Sequence, residues 1–302
     1  MTEKNNYDVI IIGGSYAGLA SAMSLGRSTR KVLIIDSRLP CNRQTPHSHN
    51  FITHDGESPA AINQKAKDQV LKYDTITYHE DVAVQGVRID KGFEIHTASS
   101  KTFGGKKLIF ATGITDIMPD IKGFEACWGI SVIHCPYCHG FEFRQQKTGL
   151  LANGERAYHL TSLIHNLTQD LSILTSGKAE FTAEQLATIK NHNIPLIEKE
   201  IIEIIAQEGQ IQQVVFQDGS TLTLDALYAT LPFKQHSDIP VQLGCELTEY
   251  GHIKVDNFQK TTEEGIFACG DNSNMMRSLA NAVASGTMAG AIVNGELAHE
   301  NF

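Results

Sequence analysis

The sequence predicts an α/β fold built on two successive strand–turn–helix units. Three observations carry this. The β-branched run Asp8-Val9-Ile10-Ile11-Ile12 leads into a glycine turn, Gly13-Gly14-Ser15-Tyr16-Ala17-Gly18, and then into a helix rich in Ala, Leu and Met. A second passage of this kind, Gly149-Leu150-Leu151-Ala152 followed by Asn153-Gly154-Glu155-Arg156, comes midway along the chain. Short apolar runs then alternate with helical stretches, as expected of parallel strands covered on both faces.

Composition narrows the class. With 302 residues, 41% hydrophobic and 20% charged, the chain can form one large or two medium domains with real cores. The net charge of −9 argues against nucleic acid or an anionic membrane surface as partner. No window approaches twenty apolar residues, so no membrane span is expected. Met1 to Tyr7 is polar and runs straight into a strand, unlike a secretion signal. The expected location is therefore cytoplasmic, where thiols are kept reduced.

Taken in order, the helix after the first glycine turn is expected over Leu19–Ser28. A second strand, Lys31 to Ile35, ends at Asp36. Strand, glycine turn, helix, strand and acid, in that order, set a pyrophosphate on a helix N-terminus and a carboxylate on ribose hydroxyls. The middle glycine of the G-x-G-x-x-G pattern is replaced by Ser15. Pro40 to Phe51 is a polar loop without periodicity, of the kind that often lines a ligand; its His47 and His49, with His54, lack an obvious carboxylate or cysteine partner for a metal. A helix is expected over Pro59–Lys72, with Pro59 in its first turn. Strands follow at Thr75–His79, Val82–Ile89, Phe93–Thr97 and Lys107–Phe110, the last ending in Ala111-Thr112-Gly113. Pro119, Gly123 and Gly129 punctuate a connector carrying Trp128. After the second turn come a helix over Ala157–Asn166, a strand over Leu171–Leu174 and a helix over Ala183–His192 with Thr182 as its cap. The second α/β unit spans 114–237. A strand-rich return over Cys245–Thr262 precedes Gly265-Ile266-Phe267-Ala268-Cys269-Gly270-Asp271, a strand with a polar tip. The last helix, Ser278–Ala298, is rich in Ala and Gly, as if packed closely on a neighbour.

The chemistry is expected in His134-Cys135-Pro136-Tyr137-Cys138-His139-Gly140. A Cys-x-x-Cys can be a redox dithiol, half of a zinc site, a haem attachment point when His follows, or two unrelated thiols. Haem attachment disagrees with a cytoplasmic location. A zinc site wants a second close pair, and among the six cysteines, Cys41, Cys127, Cys135, Cys138, Cys245 and Cys269, none exists. Cys269 reads as a small buried hydrophobe, and Cys41 and Cys245 as ordinary thiols. The motif alone does not choose among the readings.

The segments in this order resemble the low-molecular-weight thioredoxin reductase family of flavoproteins. The likeness spans nearly the whole chain. It rests on Gly13-Gly14-Ser15-Tyr16-Ala17-Gly18 with Asp36, Ala111-Thr112-Gly113, Cys135-Pro136-Tyr137-Cys138, and Gly270-Asp271 with Arg277 ahead of the last helix. The resemblance implies two Rossmann-like three-layer (β-β-α) nucleotide-binding domains, the second inserted in the first. Residues 1–113 and 238–302 would bind FAD, and 114–237 would form a central NADPH-type domain carrying the redox cysteines. Gly13, Ser15, Gly18 and Asp36 would hold the ADP half of FAD, with Ala111, Thr112 and Gly113 beside it. Gly270 and Asp271 would bind the ribityl or pyrophosphate part. Arg277, Ser278 and Leu279 would present a helix N-terminus to the flavin pyrimidine, where the reduced ring gains negative charge. Asn42, Arg43 and Asn50 fall where the family's loop runs along the flavin. Cys138 would face the flavin and Cys135 the substrate. A homodimer is expected from the family alone.

The central unit departs from the family pattern. Ala152-Asn153-Gly154-Glu155-Arg156-Ala157 lacks the first glycine of a nucleotide turn. Thr175-Ser176-Gly177-Lys178 stands where NADPH-specific members carry an arginine-rich motif, and Lys178 is a poor substitute for a bidentate arginine pair. Ala229-Thr230-Leu231-Pro232-Phe233 replaces a later glycine-containing strand end. Conventional NADPH binding is therefore doubtful. The family's usual Asp after the second cysteine is His139 here, a group able to take and return thiol protons near neutrality. The expected function is an FAD-dependent exchange of electrons between Cys135–Cys138 and a small-molecule dithiol or a thioredoxin-like protein. Relatives with a Cys-x-x-Cys-His motif include dithiol oxidases, and others take electrons from ferredoxin. The alternatives are a nicotinamide-using thioredoxin reductase with an altered site and a non-catalytic flavoprotein sensor.

Overall fold

The computed structural model describes residues 6–302, so the first five residues of the polar start lie outside it. Strand β1 (Asn6–Ile12) holds Val9, Ile10 and Ile11 fully buried, and helix α1 (Tyr16–Arg27) and strand β2 (Val32–Asp36) follow. β1 and β2 run parallel with Ile11 opposite Ile34. Next come α2 (Pro59–Val70), β3 (Ile76–Glu80), β4 (Ala83–Ile89), β5 (Gly92–Thr97) and β6 (Thr102–Phe110). Beyond β7 (Ile114–Asp116), the chain forms α3 (Phe124–Cys127), β8 (Val132–Ile133), α4 (Pro136–His139), β9 (Thr148–Leu151), α5 (Gly154–His165), β10 (Leu171–Leu174), α6 (Ala183–Asn191) and β11 (Leu196–Ile197). An antiparallel meander, β12 (Ile201–Gln207), β13 (Gln210–Phe216) and β14 (Thr221–Thr223), precedes β15 (Ala226–Ala229) and β16 (Phe233–Gln235). The return carries α7 (Ile239–Gln242), β17 (Ile266–Ala268) and α8 (Leu279–Glu300).

The chain divides into two compact units, 1–43 with 59–115 and 233–302, and 44–58 with 116–232. In the first unit the sheet runs β3-β2-β1-β6-β5-β4, and β17 also pairs with β6. β6 is the pivot. Its end pairs in parallel with β1 and β17, while its start pairs antiparallel with β5. One sheet thus opens into two layers, with helices as the third. The second unit has the parallel order β11-β10-β9-β15-β8 and the separate β12-β13-β14 sheet. Neighbouring residues in its central strands alternate between two cores. Leu150, Ile173 and Tyr228 pack with Ala157 and Ile164 of α5, and Leu174, Leu227 and Val132 pack with Ile204 and Val214 of the meander. The fold is α/β with two Rossmann-like units, the second interrupting the first.

Helix α8 lies hard against α1. A Cβ on Gly286 would sit 2.1 Å from the carbonyl oxygen of Ala17, so no other residue fits this crossing. Ser21 uses the closeness to donate to the Gly286 carbonyl at 2.8 Å. The fully buried Cys269 lies 3.6 Å from the Ser21 hydroxyl, and burial pushes its thiol up to about 12, an inert packing group.

Several elements differ from expectation. α1 starts at Tyr16 rather than Leu19, because Ser15 is already the extended N-cap residue. α5 starts at Gly154, so three of the four residues of the expected turn are helix. The span from Cys245 to Thr262 forms isolated bridges rather than regular strands. Asp256 explains part of this, since its carboxylate accepts from the backbone of Phe258 and Lys260 and closes a turn. The segment 44–58 packs with the second unit rather than with the first 113 residues. It is stitched into a hairpin by Ser48 and Glu57, and Gln44 and Thr45 lie against Gly129 of the connector.

Candidate active site

Cys135 is the N-cap of the one-turn helix α4, with Pro136 at the position where a missing N–H costs nothing. Cys135 and Cys138 form a disulfide with Cα atoms 5.3 Å apart. The Cys138 N–H donates to the Cys135 sulfur at 3.2 Å. Tyr137, between the cysteines, is exposed.

His139 follows on the same turn. Both of its ring nitrogens are enclosed and have no hydrogen-bond partner. Burial pushes its pKa below the ordinary imidazole value, neighbouring His49 acts in the same direction, and Glu142 opposes them. The His49 ring stands edge-on to His139 with centroids 6.5 Å apart. His49 in turn sits between two carboxylates, Asp55 at 3.7 Å from Nδ1 and Glu142 at 3.6 Å from Nε2. A cleft of about 260 Å³ is lined by His49, Asn50, Asp55, Tyr137, Phe141 and Glu142. The Asn50 N–H donates to Asp55 at 2.7 Å. The other loop histidines are tied locally, His47 to the Gly56 carbonyl and His54 to Glu57. The Cys-x-x-Cys-His pattern was legible in the sequence. His49, Asp55 and Glu142 were not, because their meeting depends on where the loop packs.

In the first unit the residues of the glycine turn gather at the C-terminal ends of the parallel strands. Gly13 has φ +106°, and a Cβ there would lie 2.2 Å from the Ala111 carbonyl oxygen. A Cβ on Gly18 would lie 1.8 Å from the Gly13 carbonyl oxygen. Ser15 makes no side-chain cap, so its hydroxyl does not compete for the helix N–H groups. Asp36 accepts from the Gly14 N–H at 2.9 Å and from the Tyr78 hydroxyl at 2.5 Å, with Lys67 Nζ 3.5 Å above the Tyr78 ring. Burial and the Asp36 carboxylate raise the Tyr78 phenol above its usual range. Ala111, Thr112 and Gly113 follow β6, and fully buried Asn272 fixes them by donating to the Phe110 carbonyl at 2.8 Å and the Thr112 hydroxyl at 3.3 Å. The Asn272 Oδ1 is enclosed without a hydrogen-bond partner. Gly270 donates to Ser285, and Asp271 lies 3.8 Å from Arg277 Nε. Ser278 caps α8 by accepting from Asn281, one turn ahead of which Leu279 begins the helix. The Asn42 side chain bonds the Tyr16 hydroxyl, and Arg43 donates to the Pro40 carbonyl. A backbone that only glycine allows to come close, an open helix N-terminus and a held carboxylate fit the ADP half of a dinucleotide. Tyr78 and Asn272 carried no sequence signal, since each acts through a partner far away in the chain.

The corresponding turn of the second unit is filled by its own side chains. Asn153 Oδ1 accepts from the N–H groups of Gly154 and Glu180, and its Nδ2 donates to the Lys178 carbonyl at 2.8 Å. Gln185, which completes the capping box of α6 with Thr182, also donates to Glu155 in the first turn of α5 at 2.6 Å. Lys178 itself is exposed.

Comparisons with known proteins agree with this architecture. Residues 7–286 match the pattern of the pyridine nucleotide-disulphide oxidoreductases. The chain is 31% identical to the thioredoxin reductase tcpT of Claviceps purpurea, over 98% of this chain and 96% of that protein. It is 32% identical to the thioredoxin reductase aclD of Aspergillus oryzae, over 97% of each. Among solved structures, a putative thioredoxin reductase TrxB of Bacillus anthracis superposes with a TM-score of 0.93 at 30% identity, covering 98% of this chain and 100% of that one. An oxidoreductase of Agrobacterium tumefaciens gives 0.91 at 35% identity, covering 97% and 99%. No helix among the described residues is long and apolar enough to cross a membrane. The chain belongs to the pyridine nucleotide-disulphide oxidoreductase family and is a thioredoxin reductase-like, FAD-dependent enzyme.

Proposed function

We propose that the protein is a dithiol–disulfide oxidoreductase that works through Cys135–Cys138 without conventional NADPH binding, in the manner of a dithiol oxidase. The observation that carries this reading is the α5 N-terminus. A pyrophosphate needs free N–H groups and a positive field there. Asn153 consumes the Gly154 donor and ties the 178–180 backbone across the turn, and Glu155 adds a negative charge to the same helix end.

In this reading a substrate thiolate attacks the Cys135 sulfur, an S–S bond forms to substrate, the Cys135–Cys138 bond breaks, and Cys138 leaves as a thiolate. The second substrate thiol then attacks the mixed disulfide and releases Cys135. The substrate is oxidised by two electrons and the cysteine pair reduced by two. His139 accepts the proton of an attacking thiol and returns it to a leaving one. Gly13, Ser15, Gly18 and Asp36 would hold FAD at its ADP end and the Gly270–Leu279 segment at its flavin end, and the bound flavin would supply a two-electron acceptor for the reduced pair. The physiological thiol is a small dithiol or a thioredoxin-like protein.

One observation favours a second reading, a reductase drawing on NADPH or NADH. Gly154 keeps the left-handed conformation of a nucleotide turn, φ +61°, with no atom nearer than 3.5 Å to a Cβ placed there. A single anaerobic titration separates the two. Dithiothreitol is expected to bleach the flavin band, with colour returning in air, while NADPH and NADH leave it unchanged. Rapid bleaching by NADPH overturns the first reading. In Cys138→Ser the dithiol is expected to lose its effect on the flavin, and unchanged bleaching sinks the assignment of the cysteine pair.

A further inference from the structure

His139 poses a problem of proton traffic. Each substrate thiol that attacks sheds a proton, and each departing sulfur can take one. If Cys138 departs and stays a thiolate, the sum is dithiol plus protein disulfide giving substrate disulfide, one Cys135 thiol, one Cys138 thiolate and one proton. His139 can hold the first proton, but it must be emptied before the second thiol attacks. Both of its nitrogens are enclosed with no hydrogen-bond partner, so it has no standing outlet of its own.

The 44–58 hairpin supplies one. We propose that His49 is a second acid–base residue of the thiol half-reaction, taking the surplus proton from His139 and releasing it to water through the adjoining cleft. The proposal rests on the thiol–disulfide reading above. Its geometry lies within one unit of the molecule. The His49 ring is edge-on to His139 with centroids 6.5 Å apart, a spacing that one water or a small ring rotation bridges. Asp55 at 3.7 Å and Glu142 at 3.6 Å flank its two nitrogens. The side chain lines the cleft together with Asn50, Tyr137 and Phe141.

The groups facing this pair come from every neighbouring element. The hairpin contributes His47, with its ring 6.4 Å from that of His49, and Asp55. The turn after α4 contributes Glu142. β15 contributes the Tyr228 hydroxyl beside Gly140, a phenol that burial, with Glu142 behind it, raises above its ordinary range and so keeps from exchanging protons near neutrality. The asymmetry points outward. His139 is enclosed and burial lowers its pKa, whereas His49 lies between two carboxylates and lines the cleft.

The test follows disulfide opening directly, so that it does not depend on the flavin. Dithiothreitol is added to the FAD-loaded protein, samples are alkylated at intervals, and the mass shift reports the fraction of Cys135–Cys138 opened. His49→Ala is expected to slow opening roughly 100-fold, and to change its pH profile. Free imidazole, which the vacated cleft can admit, is expected to restore most of the rate. His49→Gln, which keeps the bulk, is expected to be slow as well. A variant that is merely misfolded would not respond to imidazole. Opening at the wild-type rate and pH profile in both variants overturns the proposal, and so does a slow His49→Ala that imidazole does not rescue. Failure of the dithiol to bleach the wild-type flavin would instead remove the oxidoreductase reading and leave the result on His49 standing.

Discussion

The two strand–turn–helix passages of this chain invite direct comparison. Both place a strand end, a short turn and a helix N-terminus in sequence. In the first, Ser15 caps nothing with its side chain, Gly13 and Gly18 bring backbone against backbone, and Asp36 is fastened to the turn by Gly14 and oriented by Tyr78. In the second, Asn153 caps the helix itself and laces the turn to Lys178 and Glu180. The same local geometry is therefore open in one unit and tied by its own chain in the other. A helix N-terminus left open to an anion is a binding site, and one satisfied by its own chain is a structural cap.

Substitutions in either turn test this contrast, and the largest effect is expected at Gly18. Gly18→Val drives side-chain atoms into the Gly13 carbonyl. It should give protein without flavin and with stability lowered by about 1–3 kcal/mol or more, seen in the absorbance ratio of the purified protein and in its thermal midpoint. Retained flavin would show that the first turn is not the ADP cradle. Next, Tyr78→Phe keeps the ring under Lys67 and deletes only the hydroxyl that orients Asp36. A hydrogen bond to a charged group contributes about 1.5–3 kcal/mol, so the apparent FAD dissociation constant should rise about tenfold, measured by fluorescence titration of the flavin-free protein.

Asn153→Ala tests the other side. Loss of a helix cap costs about 0.5–2 kcal/mol, and the thermal midpoint should fall while flavin content stays unchanged. Loss of flavin from this variant would erase the distinction between the two turns. The smallest effect concerns acid stability. The native pKa of His139 is lowered from an ordinary value of 6.5. The unfolded chain then binds the proton more readily than the native one, so stability falls as pH drops through 6.5 toward the native pKa. His139→Asn should flatten the loss of thermal midpoint between neutral and mildly acidic buffer. An unchanged slope would place the acid lability elsewhere.

Much of this was legible in the residues. The β-branched runs gave the parallel strands because a strand buried on both faces has no polar positions to spare, and Leu171–Leu174 falls where its pattern puts it. The capping box at Thr182 and Gln185 is local chemistry, readable within four residues. The return after Cys245 forms isolated bridges where strands are expected, because Asp256 and Thr248 close turns there. That Asn50 lines a cleft with Tyr137 and Glu142 was not legible, because nothing in a polar loop records which unit it packs against.

The α/β class, the glycine turn with its acid, and the Cys135-Pro136-Tyr137-Cys138-His139 pattern can be read from the residues alone, because each depends on contacts within a few residues or on a single strand–turn–helix unit. Only the tertiary structure decided what those groups meet. Tyr78 reaches Asp36 through the register of β2 and β3, and Asn272 reaches Thr112 across 160 residues. His49 and Asp55 join Glu142 and His139 because the 44–58 hairpin packs with the second unit. The pKa of His139 follows from that burial rather than from its place in the motif, since desolvation and the charges around a group belong to the packed chain.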